Sequence, residues 1–387
     1  MVRRAVSYPS AGAGSASNGL PDCLQAVPPA AGRSHPSEVV MSAASLVIPG
    51  VVVGLDIGGT ATNATVLDGF GRFLVDDLCE TPSCVLEGPP AALDALRHAF
   101  ESVLAQTGLP PTAVVAVGLD TPGPASADGV ISSKGSTNFN QREWRGFDIR
   151  GALETKLGLP VVYTNDANAA ALYAHHLHFG AEAERRSSVA AIVGTGLGGG
   201  VVESGRVVKG AAGMAGELGH VQIPMRGLLA EDQPLPVCNC GFGGDAESVA
   251  SLTGIVKNLL PYWLSRYPDH PLAQVQPIQA AAMKVRGLAE DGDGLALAVF
   301  EQQAMALGRL FTIAANFTDP HAYFLGGGVV EAKPHFRSWF LDRVRRHLLL
   351  RDEQEEVATL ELVPDRDMAG ARGAAIAARD VAEAAVP

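Results

Sequence analysis

The sequence predicts an α/β fold in which two related domains face a cleft. Hairpin segments opened by a glycine turn occur twice, within residues 47–77 and 188–208, and each is followed by units of strand and helix. Because sheets and helices bury their apolar faces against each other, each repeat is expected to form one α/β domain. Glycine is frequent, with 44 residues in 387. This excess indicates a site built from loops that turn tightly or approach a ligand closely.

The first half of the chain alternates between strand and helix patterns. The stretch VIPGVVVGLDIGGTATNATVLDGFGRFLVDD predicts three β segments joined by glycine turns, and AALDALRHAFESVLAQTG has the apolar spacing of a helix. A buried strand in AVVAVGLDTPGPA runs into a loop of Pro and Gly. The stretch RGALETKLGLPVVYTNDANAAALYAHHL then predicts a helix, a strand and a second helix.

The second half repeats this organisation. A glycine-turned hairpin in SVAAIVGTGLGGGVVESGRVV precedes the long helical stretch LALAVFEQQAMALGRLFTIAANFTD, the buried strand AYFLGGGVV and a last helix around ARGAAIAARDVAEAA. We therefore expect a first domain at 48–165, a second domain at 166–369, and a C-terminal helix at 370–387 that packs back on the first. Residues 1–47 are rich in Ala, Ser, Gly and Pro and lack apolar periodicity, so we expect them to be disordered.

Composition restricts the classes of partner. The formal net charge is −12 without a block of Lys or Arg, which argues against nucleic acid or an acidic membrane as partner. A phosphate-bearing ligand stays open, because backbone N–H groups can hold phosphate. Five cysteines are few and odd in number, which favours a reducing cytoplasm over a disulfide framework. No apolar run approaches the roughly 18 residues of a membrane span.

Several short motifs have both a functional and a purely structural interpretation. In LDIGGT, glycine backbone and threonine hydroxyls would face phosphate while Asp56 orients Mg²⁺, or the segment is an ordinary hairpin turn. In TNDANAA, Asp166 is either a helix cap or a carboxylate held at a strand end as a general base. GMAGELGH places Glu217 and His220 three residues apart, a spacing that is usually incidental. The HHLH at 175–178 is interpreted as a solvated helix face.

The order of the motifs is more specific than any one of them. DIGGT, DTPGP, TNFNQREW, NDAN, GTGLGGG, GELGH, CxCG and GGG follow one another as in sugar kinases of the repressor, open reading frame, kinase (ROK) family, which this chain resembles over residues 50–378. That family belongs to the actin/hexokinase/Hsp70 ATPase superfamily. The resemblance implies a two-domain, actin-like or ribonuclease H-like ATPase fold with the cleft between its domains.

The resemblance also implies roles for individual residues. ATP phosphates would be held by the two hairpin turns, at Asp56, Gly58, Gly59, Thr60, Thr62, Gly194, Thr195 and Gly196. Gly327 and Gly328 would lie beside adenosine. Sugar hydroxyls would be bound by Asn138, Asn165, Asp166, Glu217, His220 and Glu247. Asp166 would be the catalytic base.

The loop CNCGFGGDAE at 238–247 departs from the family pattern. The family holds a structural zinc with the histidine of GELGH and three cysteines of a CxCGxxGCxE loop. Here His220, Cys238 and Cys240 match that pattern, and Asp245 stands in the place of the third cysteine. Zinc accepts carboxylate oxygen, so a His/Cys/Cys/Asp site is expected, the alternative being a metal-free loop.

The resemblance implies ATP- and Mg²⁺-dependent phosphorylation of a sugar hydroxyl, with glucose the commonest family substrate and glucose 6-phosphate the product. Mannose, an amino or N-acetyl sugar, or a C7-cyclitol remain alternatives. A sugar-responsive repressor is disfavoured, because residues 1–47 lack the pattern of a helix-turn-helix arm and Asp166 is present. The expected enzyme is a cytoplasmic homodimer or homotetramer that binds neither nucleic acid nor membrane.

Overall fold

A computed structural model describes residues 50–77, 79–123, 125–134, 138–364 and 366–384. The predicted disorder of 1–47 falls outside these residues. Within the described part of the chain, no helix is long and apolar enough to cross a membrane.

The first sheet contains five strands in the order β3-β2-β1-β4-β5. Their bounds are β1 Val51–Ile57, β2 Ala61–Leu67, β3 Cys79–Pro82, β4 Val114–Thr121 and β5 Val161–Asn165. The hairpin β1–β2 and the edge strand β3 are antiparallel, whereas β4 and β5 run parallel to β1. The strands β1 and β4 are apolar almost throughout, as expected for strands buried on both faces.

The second sheet has the order β10-β9-β6-β7-β8. Its strands are β6 Ser187–Val193, β7 Leu197–Glu203, β8 Arg206–Val207, β9 Ala322–Gly327 and β10 Thr359–Leu362. A hairpin, an antiparallel edge strand and two parallel strands are again arranged around the first strand. The two sheets therefore share one topology.

Helices connect and cover these strands. They are α1 Pro89–Thr107, α2 Ile149–Leu157, α3 Asp166–Phe179, α4 Glu247–Ala250, α5 Leu252–Gly254, α6 Leu260–Arg266, α7 Ile278–Glu290, α8 Gly294–Thr318, α9 Pro334–His347, α10 Asp352–Glu355 and α11 Arg366–Ala384. A π-helical turn, Ile255–Leu259, joins α5 to α6. One apolar core lies between the first sheet and α1 and α2, and a larger one between the second sheet and α4 to α9.

The last helix, α11, packs on the first sheet at two paired glycines. Gly54 of β1 and Gly118 of β4 are register partners. A Cβ atom added to either glycine would lie 1.9 Å from a backbone carbonyl oxygen of α11, that of Ala371 or of Ala374. Real atoms do not approach so closely, so the helix can rest directly on the strands only because both positions lack a side chain.

Two interpretations of local structure were wrong. Among the described residues, no third strand directly follows β2, and Phe73 forms only an isolated bridge with Leu67. Asp68 closes a turn in between, in which its Oδ1 accepts hydrogen bonds from the backbone N–H groups of Phe70 and Arg72, each at 2.9 Å. The third strand begins only at Cys79. The first histidine of HHLH is also not solvated: His175 is fully buried, with its ring nitrogens 2.8 Å from Ser188 Oγ and the Ala183 carbonyl oxygen.

Candidate active site

Three carboxylates lie at the ends of neighbouring parallel strands in the first sheet. Asp56 is the penultimate residue of β1, Asp120 is its register partner on β4, and Asp166 follows the last residue of β5. Parallel strands end at the same edge of a sheet, which is where ligands bind in open α/β folds. The three charges interact, because Asp56 raises the pKa of both other carboxyls.

Asp166 begins α3 and faces the open side of this edge. Its Oδ1 accepts a hydrogen bond from the N–H of Ala167 at 2.8 Å, and its side chain is accessible to solvent. Enclosure by the surrounding protein raises the pKa of Asp166 to about 6, and the charges of Asp56 and Glu217 contribute further. A carboxyl with this pKa is largely ionised at neutral pH and is suited to accept a proton.

The cap of helix α3 is Asn165, and Asp166 is the first residue of the helix. The side-chain oxygen of Asn165 accepts the N–H of Asn168 at 2.7 Å and so caps α3. The cap fixes the start of the helix, and therefore the direction in which the neighbouring Asp166 points.

The first hairpin turn approaches the predicted sugar residue Asn138. The N–H of Gly58 donates to the carbonyl of Ala61 at 2.8 Å and closes the turn. A Cβ on Gly59 would lie 2.7 Å from the side-chain Cγ of Asn138, so this glycine lets the amide lie against the turn. Thr60 is exposed at the tip, whereas Thr62 is fully buried and its hydroxyl has no hydrogen-bond partner among the described residues.

The second hairpin turn borders a cavity of about 300 Å³. Gly194 and Thr195 are exposed on its wall, and the N–H of Gly194 donates to the carbonyl of Gly196 at 2.9 Å. Gly328 also lines the cavity, and its carbonyl accepts a hydrogen bond from Arg286 Nη1 at 2.7 Å. The remaining lining is largely apolar, from Val193, Leu252, Ile255, Ala282, Met283, Phe300, Val329 and Phe340.

Gly327, directly before Gly328, is the register partner of Val193 at the end of β6. Its φ of 91° lies in the region that favours glycine. A Cβ there would lie 1.9 Å from the Val193 carbonyl oxygen. A flat apolar group such as a nucleotide base fits a cavity with this lining.

Two further predicted sugar residues are Glu217, which lies near Asp166, and Glu247, which lies beside the second hairpin turn. Glu217 is exposed and acts electrostatically on Asp166, and its carbonyl accepts the N–H of His220 at 3.1 Å. Glu247 begins α4, and its Oε2 accepts the N–H of Leu197 at 2.9 Å, directly after the second turn. The Cys238 thiol donates to the other oxygen of Glu247 at 3.2 Å.

Four potential metal ligands meet beside Glu247. The ligand atoms of His220, Cys238, Cys240 and Asp245 all lie within 4.8 Å of one another. His220 Nδ1 is 3.4 Å from Asp245 Oδ2 and 3.8 Å from Cys238 Sγ, while Cys240 Sγ is 3.7 Å from Asp245 Oδ2. Tetrahedral bonds of about 2.2 Å place neighbouring ligand atoms about 3.6 Å apart, so these spacings suit a zinc ion.

Asp120 is a residue that the sequence reasoning missed. Its side chain is fully buried, and apart from Asp56 neither carboxyl oxygen has a hydrogen-bond partner among the described residues. Burial raises its pKa well above the ordinary value, and the charge of Asp56 adds to this. The available signal was a carboxylate inside the apolar strand AVVAVGLDT, since unpaired charges are rarely buried.

The sequence was compared with known protein families and proteins. The ROK family model matches residues 52–381. A glucokinase from Halalkalibacterium halodurans is 31% identical over 303 residues, which are 76% of this chain and 87% of that protein.

Solved structures agree with the sequence match. The crystal structure of the ROK hexokinase from Thermus thermophilus has a TM-score of 0.67 at 33% identity, covering 86% of this chain and 99% of that one. A ROK glucokinase from Streptomyces griseus, crystallised with glucose and AMPPNP, gives a TM-score of 0.61 at 28% identity, covering 86% and 100%. The predicted actin-like α/β fold is thereby confirmed. With its family model matched over nearly all of the described residues, this chain belongs to the ROK family.

Proposed function

We propose that this protein is an ATP-dependent sugar kinase that converts glucose to glucose 6-phosphate. The observation that carries the proposal is the position of Asp166, a carboxyl at the end of β5, on the strand edge shared with the first hairpin turn. The relatives named glucokinase and hexokinase support this choice of chemistry and substrate.

Phosphoryl transfer requires no covalent intermediate with the protein, only positioned reactants, a proton acceptor and neutralised phosphate charge. Asp166 accepts the proton of the sugar hydroxyl while that oxygen forms a bond to the γ-phosphorus, and the bond from the γ-phosphorus to the bridging oxygen of ADP breaks. With a pKa of about 6, the base is about nine-tenths ionised at pH 7. Mg²⁺ bound with ATP supplies neutralisation of the phosphate charge, and Asp56 fits it because Mg²⁺ prefers carboxylate oxygen.

The other residues position the reactants. Because the N–H groups of Gly58 and Gly194 close the two turns, those of Gly59 and Gly196 would face the phosphates. The exposed Thr60 and Thr195 would add hydroxyl donors, whereas Thr62 is fully buried. Gly327 and Gly328 would border adenosine in the cavity of about 300 Å³. Asn138, Asn165, Glu217, His220 and Glu247 would bind the sugar hydroxyls, because paired polar groups discriminate strongly among hydroxylated substrates.

A coupled assay of ADP release over a panel of sugars tests the substrate. The panel contains glucose, mannose, glucosamine, N-acetylglucosamine, N-acetylmannosamine and a C7-cyclitol. We expect the highest kcat/KM with glucose. A higher kcat/KM on any other member overturns the choice of glucose, and no ADP release on any member overturns the kinase assignment. Sedimentation velocity of the same preparation tests the predicted homodimer or homotetramer.

We also propose that His220, Cys238, Cys240 and Asp245 hold a structural zinc ion. Asp245 is fully buried, and its Oδ1 already accepts the N–H of Ser248 at 2.9 Å, which leaves Oδ2 directed at His220 and Cys240. A buried carboxylate needs a compensating charge. The zinc would fix His220 and the backbone before Glu247, and would so shape the sugar pocket without contacting phosphate.

Metal analysis of protein never exposed to chelator tests this site. We expect about one zinc per chain in the wild type and in Asp245→Cys, and clearly less in Asp245→Asn. The Asn variant keeps an oxygen for Ser248, so loss of zinc there reports the missing charge. Cys84→Ser, a thiol outside the cluster, is the matched control and should keep its zinc. Zinc far below one per chain in fully active wild type would overturn the proposal.

A further inference from the structure

Asp120 has no role in the proposed proton transfer, yet its carboxyl group is buried beside a second carboxyl group, that of Asp56. The side chain is fully buried, and apart from Asp56 its oxygens have no hydrogen-bond partner among the described residues. Two carboxyl groups buried side by side without a cation are unfavourable, because they repel each other when both are ionised. A compensating group is therefore expected where its oxygens point.

Those oxygens point to the same place as Asp56. The two residues are register partners on adjacent parallel strands, so their side chains leave the same face of the sheet. A Cβ added to Gly370 of α11 would lie 2.7 Å from Oδ2 of Asp56 and 2.7 Å from Oδ2 of Asp120. The two Oδ2 atoms therefore lie close to each other and against the start of α11, which can approach them because residue 370 has no side chain.

Asp56 connects this buried pair with the active-site cleft. It is partly exposed, whereas Asp120 lies fully buried beside it. The register row continues through Asn63 on β2 and Thr164 on β5, which places oxygen-bearing side chains on both sides of the pair. Carboxylate, amide and hydroxyl oxygens are the ligands of hard divalent cations.

We propose that Asp120 is a second carboxylate ligand, together with Asp56, for the divalent cation used with ATP. The inference rests on the proposed function, but it concerns this chain's own donor set. A cation at the pair offsets the repulsion between the two carboxylates, and it gives Asp120 a partner other than Asp56. Asp120 would then bind the cation from its buried side, while the partly exposed Asp56 would bind it on the side of the ATP phosphates.

Binding of Mn²⁺ without nucleotide or sugar tests the inference separately from catalysis. Free Mn²⁺ is measured by electron paramagnetic resonance while MnCl₂ is added to wild type, Asp120→Asn and Asp120→Ala. We expect the Kd to rise at least about tenfold in both variants. The control, Asp269→Asn, removes the same charge from an exposed position and should keep the wild-type Kd. Wild-type affinity in folded Asp120→Asn overturns the proposal.

Thermal melting provides a second readout. Without divalent metal, Asp120→Asn should melt at least about 2 °C above wild type, because it removes the repulsion inside the pair. Wild type should gain stability from MgCl₂ relative to NaCl of equal ionic strength, and the variant should not. A variant that melts below wild type without metal overturns the proposal, because Asp120 would then be a protonated partner that donates to Asp56. Sugar-dependent ADP release by wild type, measured alongside, reports on the kinase assignment alone.

Discussion

The two sheets share one topology but differ in the residues at their strand ends. In the first sheet, Asp56 and Asp120 are register partners one residue before the ends of β1 and β4. In the second sheet, Ile192 and Gly326 are partners at the matching positions of β6 and β9. One edge is therefore acidic, and the other is apolar and leads to the cavity bordered by Thr195 and Gly328.

This difference suits one sheet topology to two functions, phosphoryl transfer and nucleotide binding. Transfer of a phosphoryl group needs a proton acceptor and a cation site, both of which use carboxylates. A nucleotide base and its phosphates can instead be held by apolar surface and backbone N–H groups. The framework occurs twice, and under the proposed function the different residues at the strand ends would give the proton acceptor and cation site to the first half and the nucleotide site to the second.

The largest expected effect tests whether the acidic edge carries the chemistry. Asp166→Asn should lower kcat about 10²- to 10⁴-fold, because the amide keeps the shape but cannot accept the proton. Sugar binding, followed by tryptophan fluorescence or calorimetry, should stay close to wild type. The matched change Asp269→Asn should leave kcat unchanged. A kcat near wild type in Asp166→Asn would show that another group is the base.

A smaller effect tests the packing of α11 against the first sheet, the sheet that carries the acidic edge. Gly118→Ala should lower the free energy of unfolding by about 1–3 kcal/mol, because its methyl group meets the backbone of α11. Gly287→Ala is the control, in the interior of α7 with nothing within 4 Å of the added atom. It should raise stability by about 0.5–1 kcal/mol. Urea unfolding of both variants measures this, and equal effects of one sign would contradict the packing argument.

The smallest effect concerns the charge of the acidic edge. A raised carboxyl pKa means that Asp166 binds its proton over the acidic range and loses it above about pH 6. Because the base must be ionised, kcat/KM should fall about tenfold per pH unit below pH 6 and level off above it. The pH profile of ADP release measures this limb. A limb near pH 4, the ordinary range of an aspartate, would show that the site does not perturb Asp166.

Much of the fold was predictable because local signals were strong. Glycine turns between runs of Val, Ile and Leu located both hairpins, and helical spacing located α1, α8 and α11. The segment after β2 was misassigned because the turn depends on one side chain, that of Asp68, whose Oδ1 accepts the N–H groups of Phe70 and Arg72. Apolar content alone did not reveal it.

The site was predictable only where a residue sits in a motif. Asp166 and the cluster around Cys238 could be located by their order along the chain, and the structure brings that cluster together. Asp120 stood out only as a carboxylate inside an apolar strand, because its proximity to Asp56 arises from the pairing of β1 with β4 across more than sixty positions of sequence. His175 was misjudged for the same reason: α3 is covered on both sides, and its alanine-rich sequence carries no polar stripe.

The glycine contact beneath α11 has a consequence for folding on the ribosome. One face of the first sheet, with Val52 and Ala116, is buried in a cluster that contains Ala375 and Ile376 of α11. That helix follows every other described element, so this face remains bare while the second sheet is being synthesised. The half of the molecule that is made first therefore completes its folding last, and a chaperone that binds apolar sheet surface has the whole of elongation in which to engage it.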